Sequence, residues 1–221
     1  MPRPIFITGT GTDIGKTHIL CALLEAARAA GTPSRALKPV LSGFDVQKVQ
    51  DTDTARLIAA NGQTLDAYGV KATTPWRFKA PLSPDMAARR EERDLTLRPV
   101  VNWCLDNIDP SRPTFIEGAG GLMSPITEDA LNLNLIRELD AYAVLVAGNY
   151  LGTISHILTA LRALDGRSTV IINPYLQGPV SPQETLATLT RFAPRTQFLI
   201  YEEGKPENLL SILTHSKNEA F

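Results

Sequence analysis

The sequence is poor in several features that would mark large classes of protein. It has only two cysteines, Cys21 and Cys104, in 221 residues, which is too few for a disulfide framework. Both lie in apolar helical stretches, so we expect buried, reduced thiols. The three histidines have no mutual spacing that suggests a metal site. No apolar run approaches the roughly 20 residues needed to cross a bilayer, so no membrane partner is predicted.

An excess of one charge is also missing. The chain has 22 Lys and Arg residues against 23 Asp and Glu residues, so it offers no basic field to attract nucleic acid. Residues 1–4 lead into an apolar strand without the apolar run of a signal peptide, and we therefore expect a cytoplasmic protein. No linker, internal repeat or low-complexity tract interrupts the chain. Residues 1–221 are predicted to form a single domain, long enough to bury a full core.

The strongest signal lies in residues 5–18, which read I-F-I-T-G-T-G-T-D-I-G-K-T-H. An apolar strand, a glycine-rich turn and a helix in this order predict a phosphate-binding loop. Glycines allow backbone N–H groups to converge on phosphate oxygens, and the helix start adds its own N–H groups and dipole. Lys16 supplies a cation for the terminal phosphates, and the Thr17 hydroxyl is a ligand for Mg²⁺. The loop is one residue longer than the common pattern, because its first glycine precedes Thr10.

Strands and helices alternate along the rest of the chain. This pattern predicts an α/β fold with a single, mostly parallel sheet and helices on both faces, like that of P-loop NTPases. Further strands are expected over residues 34–40, 113–117, 141–147, 168–172 and 197–201. Residues 63–84 contain four interspersed Pro and Trp residues and are predicted to be loop with a short helix. Residues 207–214 are predicted to form a last helix.

Polar side chains stand at the carboxyl ends of several predicted strands, where ligands of parallel sheets bind. Lys38 and Ser42 follow the second strand, and Glu117 closes the third. Lys38 is expected to face phosphates or a substrate anion together with Lys16; the alternative is a lysine that reaches out to solvent. Glu117 is expected to hold Mg²⁺ directly or through water; the alternative is a solvated glutamate in a turn.

Two further polar residues are open to more than one interpretation. Asp53 is either an ordinary helix cap or the residue that completes an oxygen shell for Mg²⁺ with Thr17 and Glu117. Asn173 ends the strand T-V-I-I-N and either reads a base edge through its amide or is a turn residue before proline.

Taken together, these motifs resemble those of the dethiobiotin synthetase family. The matching stretches are T-G-T-G-T-D-I-G-K-T, K-P-V-L-S-G, the Asp53 of D-T-D-T-A, E-G-A-G-G and L-G-T-I-S-H, which extend to about Asn173. The resemblance implies an ATP- and Mg²⁺-dependent cyclo-ligase of biotin synthesis. Such an enzyme joins CO₂ to 7,8-diaminopelargonate as a carbamate, activates it as a carbamic–phosphoric anhydride, and closes the ring of dethiobiotin with release of ADP and phosphate.

The resemblance also implies roles for individual residues. The catalytic set would be Thr12, Lys16 and Lys38. The ATP-binding set would be Asp13, Ile14, Gly15, Lys16, Thr17, His18, Asp53, Glu117, Gly118, Ala119, Gly120 and Asn173. The substrate set would be Thr12, Lys38, Ser42, Gly152, Thr153 and Ser155, and Mg²⁺ would be held by Thr17, Asp53 and Glu117. A homodimer is implied as well, with the substrate carboxylate at the interface against the helix start near Gly152.

Two other classes of protein share such a loop. The first is an ATPase switch of the partitioning or positioning type, which acts by ATP-dependent dimerisation. Such proteins carry a second lysine early in the loop, where this chain has Gly11, and need a DNA or membrane surface that the sequence does not suggest. The second is a cobyrinate-type amide synthase, whose glutaminase domain would not fit in 221 residues.

Overall fold

The computed structural model describes residues 3–165, 168–175 and 180–216, and these residues form eight strands and eight α-helices. The strands are β1 Ile5–Gly9, β2 Arg35–Leu37, β3 Val40–Ser42, β4 Trp76–Phe78, β5 Thr114–Glu117, β6 Tyr142–Gly148, β7 Ser168–Asn173 and β8 Gln197–Ile200. The helices are α1 Lys16–Ala29, α2 Asp53–Ala60, α3 Ala67–Thr73, α4 Pro84–Arg90, α5 Leu97–Asp106, α6 Asn132–Glu138, α7 Thr153–Ala163 and α8 Pro182–Phe192. Two 3₁₀ segments, Val46–Asp51 and Pro206–Ser216, complete the described structure.

Six strands form one parallel sheet in the order β2-β5-β1-β6-β7-β8. Successive side chains of β1 enter two different cores, because neighbouring residues of a strand point to opposite faces. Ile5 and Ile7 pack with α1 and the Pro206–Ser216 segment, whereas Phe6 packs with α5, α6 and α7. The predicted parallel sheet covered by helices on both faces is confirmed. None of the described helices is both long and apolar enough to span a bilayer.

The predicted strand over residues 34–40 was wrong in its extent. The main-sheet strand β2 ends at Leu37, and β3 begins at Val40 in a separate two-stranded parallel sheet with β4. Pro39 lies between the two strands and interrupts them, because it has no N–H group to donate a ladder hydrogen bond. Lys38 is therefore placed where the edges of the two sheets meet, and its backbone N–H donates to the Thr73 carbonyl at 2.9 Å.

Residues 63–84 are more regular than the sequence predicted. They contain the short helix that was expected, α3, and also the unexpected strand β4. Strand β4 has only three residues, too few to show an alternating pattern. The final helix predicted over residues 207–214 is present as a 3₁₀ segment rather than an α-helix, and its Leu209 and Ile212 are buried beside α1.

Candidate active site

The loop between β1 and α1 has the shape of an anion-binding nest. Asp13 and Gly15 both adopt left-handed conformations, with φ of 56° and 92°, and helix α1 begins at Lys16 without a side-chain cap. The first backbone N–H groups of a helix have no acceptor within the helix, and N–H groups beside left-handed residues form concavities that suit anions. A Cβ atom on Gly121 would come within 3.1 Å of the Gly11 backbone, so the E-G-A-G-G segment lies directly against this loop.

Lys16 is held inside the loop before any phosphate is bound. Its Nζ donates to the Gly11 carbonyl at 2.9 Å, and the residue is only 7% exposed. Burial lowers the pKa of Lys16 to about 8, although the nearby Glu117 carboxylate works in the opposite direction. A buried lysine with a lowered pKa gains most from an anion that arrives beside it.

A second lysine joins the two predicted carboxylates at the floor of the site. Lys38 Nζ lies 2.5 Å from Glu117 Oε1 and 3.1 Å from Asp53 Oδ2. Burial alone would lower the pKa of Lys38, but Glu117 and then Asp53 outweigh it and raise the pKa above its usual range. Burial likewise works to raise the pKa of Asp53, but Lys38 prevails and holds it below the usual range. Lys38 is therefore a buried, ion-paired cation rather than a lysine that reaches out to solvent.

Thr17 connects this cluster to the phosphate-binding loop and provides a test of the predicted magnesium site. Its hydroxyl donates to Glu117 Oε1 at 2.7 Å. The second carboxylate oxygen of Glu117 is buried and has no hydrogen-bond partner among the described residues. No group of three His, Cys, Asp or Glu side chains in the described chain could hold a metal by itself. An oxygen-only set with few protein ligands suits Mg²⁺, which completes its shell with phosphates and water.

These groups line one cleft of about 710 Å³ at the carboxyl edge of the sheet. Most of the predicted site residues border this cleft: Thr12, Asp13, Gly15, Lys16, Thr17, His18, Lys38, Ser42, Asp53, Glu117, Gly118, Ala119 and Gly120. Six further residues that were not predicted from the sequence also line the cleft: Leu41, Arg56, Pro81, Leu82, Ser83 and Pro84. Most of the latter belong to the segment that was expected to be irregular. Its P-L-S-P run just before a helix is the signal that could have revealed them.

Ile14 and Asn173 lie behind the loop rather than on the cleft surface. The Ile14 side chain is 4% exposed and belongs to the core beside α1. The Asn173 amide donates to the Ile14 carbonyl at 3.0 Å and accepts from the Tyr175 N–H at 3.3 Å. Both ends of this amide are thus engaged within the protein, and Asn173 fastens the phosphate-binding loop to the end of β7.

The start of α7, which follows β6, contains Gly152, Thr153 and Ser155 and lies outside the cleft of the single chain. The buried Thr153 hydroxyl donates to the Gly148 carbonyl at 2.5 Å, so this side chain is occupied. Gly152 has a φ of 95°, and helix α7 starts after it without a side-chain cap. Gly152 and Ser155 are exposed, as is Leu151 beside them, with 84% of its surface accessible.

Three aromatic rings border the loop on the side of β7 and β8. The His18 ring meets Tyr201 edge-on at 5.3 Å between centroids and Tyr175 at 6.3 Å. The Tyr175 hydroxyl donates to the Glu203 carboxylate at 2.7 Å. The sequence analysis had singled out only His18 in this group.

Known proteins with similar sequences show the family to which this chain belongs. Residues 3–199 match the model of a family described as "AAA domain". The chain is 45% identical over 194 residues to the ATP-dependent dethiobiotin synthetase BioD of Methylobacterium nodulans, a match that covers 83% of this chain and 85% of the relative. It is 44% identical over 196 residues to the ATP-dependent dethiobiotin synthetase BioD of Caulobacter vibrioides, covering 86% and 88% of the two chains.

A solved structure supports the fold. The MinC:MinD cell division protein complex of Aquifex aeolicus aligns with a TM-score of 0.50 over 97% of this chain and 86% of that chain. At 10% sequence identity this similarity concerns the fold alone. The sequence relatives, by contrast, share most of their length and nearly half of their residues with this protein. The chain therefore belongs to the ATP-dependent dethiobiotin synthetase family.

Proposed function

We propose that this protein is an ATP-dependent cyclo-ligase of biotin synthesis that converts 7,8-diaminopelargonate and CO₂ to dethiobiotin, with ATP cleaved to ADP and phosphate. The observation that carries the proposal is a pair of buried lysines on one cleft: Lys16 lies within the phosphate-binding loop, and Lys38 is ion-paired with Asp53 and Glu117. Membership of the family supports the ligase over an ATP-driven switch, since the sequence relatives named as dethiobiotin synthetases match most of the chain.

The reaction proceeds in three steps. One amine of the diamine attacks CO₂, and the new N–C bond forms as a proton is lost, leaving a carbamate. A carbamate oxygen then attacks the γ-phosphorus of ATP and displaces ADP, giving a carbamic–phosphoric anhydride. The second amine attacks the anhydride carbon, the C–O bond to phosphate breaks, and phosphate and a proton leave as the ureido ring closes.

Lys16 and Lys38 act on the charge that these steps create. Phosphoryl transfer depends on positioning and on neutralising spread negative charge more than on covalent help. Lys38 is fixed by two carboxylates and buried, so its charge needs no reorganisation when the carbamate and the transferred phosphoryl group arrive. Lys16 neutralises the terminal phosphates, and Thr12 and Ser42 orient the carbamate and an amine by hydrogen bonds.

The nucleotide would be held largely by backbone atoms. The loop residues Asp13 to His18 and the segment from Glu117 to Gly120 would surround the phosphates. Asn173, which the resemblance assigned to the nucleotide, would act on it indirectly by fastening the loop through the Ile14 carbonyl. Thr17, Asp53 and Glu117 would hold Mg²⁺, which supplies charge neutralisation at the phosphates when it is bound.

The substrate tail would lie beyond the cleft of a single chain. The uncapped start of α7, at Gly152, Thr153 and Ser155, would bind the substrate carboxylate through backbone N–H groups. We propose a homodimer in which this helix start completes the cleft of a second copy. A single domain over residues 1–221 and a cytoplasmic location stay predictions from the sequence.

The test is the origin of the ring carbonyl. The protein is supplied with Mg-ATP, the diamine and carbon-13 bicarbonate, and the product is analysed by mass spectrometry. The proposal predicts a product of dethiobiotin mass that carries one heavy carbon, and Lys38→Ala protein should form none. A product without the heavy carbon, or no product from folded wild-type protein, would contradict the proposal.

A further inference from the structure

Ser83 occupies a helix N-cap position, that of α4, where a serine side chain normally accepts a hydrogen bond from the backbone, but it makes no such bond. Its hydroxyl oxygen is buried and has no partner among the described residues. Ser181 occupies the same position of α8 and accepts from the Glu184 N–H at 3.2 Å. A buried hydroxyl that forgoes such a bond is disfavoured unless something else binds it.

Ser83 borders the cleft together with Ser42, whose hydroxyl is also buried and without a partner among the described residues. The two serines lie on segments that are tied to each other. The Gly43 N–H donates to the Ala80 carbonyl at 3.1 Å, next to Ser42 and three residues before Ser83. Between them the cleft wall is apolar, with Leu41, Pro81 and Leu82. Two vacant hydroxyls on one apolar wall suit a small aliphatic molecule with two polar atoms.

Hydroxyls have an advantage over carboxylates in holding a reactive amine. A nearby carboxylate would favour the protonated ammonium, which cannot attack CO₂ or the anhydride. A serine hydroxyl accepts a hydrogen bond from a neutral amine without that effect. Three carboxylates border the cleft: Asp53 and Glu117 are both paired with Lys38, and Asp13 belongs to the phosphate-binding loop. Asp85 lies near Ser83 in sequence but borders a separate cavity with Arg89.

We propose that Ser83 is a second substrate-positioning residue: Ser42 and Ser83 each accept a hydrogen bond from one nitrogen of the vicinal diamine. This inference rests on the proposed function, which places that diamine in the cleft. Holding both nitrogens on one wall keeps the free amine within reach of the activated carbamate, and such positioning lowers the barrier to ring closure. Ser83 thus makes the cleft prefer a vicinal diamine to a molecule with only one amine.

The experiment measures binding, not turnover. The affinity of the diamine and of two analogues, each lacking one amine, is measured by calorimetry in CO₂-free buffer with a non-hydrolysable ATP analogue. Ser83→Ala should weaken the diamine about 3- to 10-fold, as expected for one hydrogen bond. It should weaken only one of the two monoamines, and Ser42→Ala should weaken the other. Ser83→Thr keeps the hydroxyl and should restore the affinity.

Ser181→Ala is the matched control, since it removes a serine that does cap its helix. It should lower the thermal midpoint and leave diamine affinity unchanged, whereas Ser83→Ala should not lower the midpoint, because it removes a buried hydroxyl that has no partner among the described residues. Diamine binding by Ser83→Ala equal to that of wild type, or equal losses for both monoamines, would overturn this inference alone. A wild-type protein that does not bind the diamine would overturn the proposed function as well.

Discussion

Gly15 is the loop residue at which one added methyl group has the largest predicted effect. Its φ of 92° is a left-handed conformation, which costs an alanine about 1–2 kcal/mol. A Cβ atom built there would also lie 2.3 Å from Asn173 Nδ2, too close for the present arrangement. The Asn173 amide would have to leave the Ile14 carbonyl, at a further cost of about 1–2 kcal/mol. Gly15→Ala is therefore expected to lose about 2–4 kcal/mol in the native loop conformation.

The loss should appear in both stability and nucleotide affinity, because Gly15 borders the cleft. Urea unfolding gives the first quantity and ATP titration the second. Gly31→Ala is the control: Gly31 also has a positive φ, 72°, but a Cβ there meets nothing within 4 Å. It should lose only about 1–2 kcal/mol of stability and bind ATP normally.

The Asn173→Ala variant separates the cost of the left-handed backbone at position 15 from the cost of the clash with the amide. If the clash with the amide contributes, the double variant Gly15→Ala/Asn173→Ala should be less destabilised than the sum of the single variants, by about 1 kcal/mol. Strict additivity, or a Gly15→Ala protein indistinguishable from Gly31→Ala in ATP affinity, would refute the reasoning.

Three further predictions concern the charged groups of the cleft. Lys38→Ala should abolish product formation while Mg-ATP binding, measured by calorimetry, stays mostly intact; near-normal turnover would remove Lys38 from its assigned role. Thr17→Val should weaken nucleotide binding in Mg²⁺ but have little effect in EDTA, because it deletes a hydroxyl assigned to the metal; equal loss under both conditions would argue against that assignment. The pKa of Lys16 is about 8 in the folded protein, against an ordinary value of 10.5 that applies to the unfolded chain. Between these pH values the unfolded chain binds more protons than the folded protein, so the contribution of Lys16 to stability rises with pH. Wild type should gain about 3 kcal/mol relative to Lys16→Met between pH 8 and 10.5, as measured by urea unfolding; a difference independent of pH would contradict the lowered pKa.

The sequence was sufficient to predict most of the side chains that line the cleft. Four of these residues lie at or just after the carboxyl ends of strands that pair in one parallel sheet: Lys16, Thr17, Lys38 and Glu117. The order of the strands and their register therefore bring the four side chains together. That rule needs only the location of strands, which the apolar runs reveal.

The remaining wall of the cleft could not be predicted in this way. Strands β3 and β4 have three residues each and pair across more than thirty residues of chain. Whether a hydroxyl such as that of Ser83 caps its helix or faces a cavity depends on the packing around it. The same holds for Asn173, whose amide turns inward to Ile14 because the loop passes close by.

The dependence of ATP cleavage on the diamine distinguishes a cyclo-ligase from an ATP-driven switch. Phosphate release is measured with Mg-ATP and bicarbonate, with and without 7,8-diaminopelargonate. A cyclo-ligase releases phosphate only when the diamine is present, in a one-to-one ratio with dethiobiotin. Phosphate released at the same rate without the diamine, or tight ATP binding without release under either condition, would contradict the proposed cyclo-ligase and favour an ATP-driven switch.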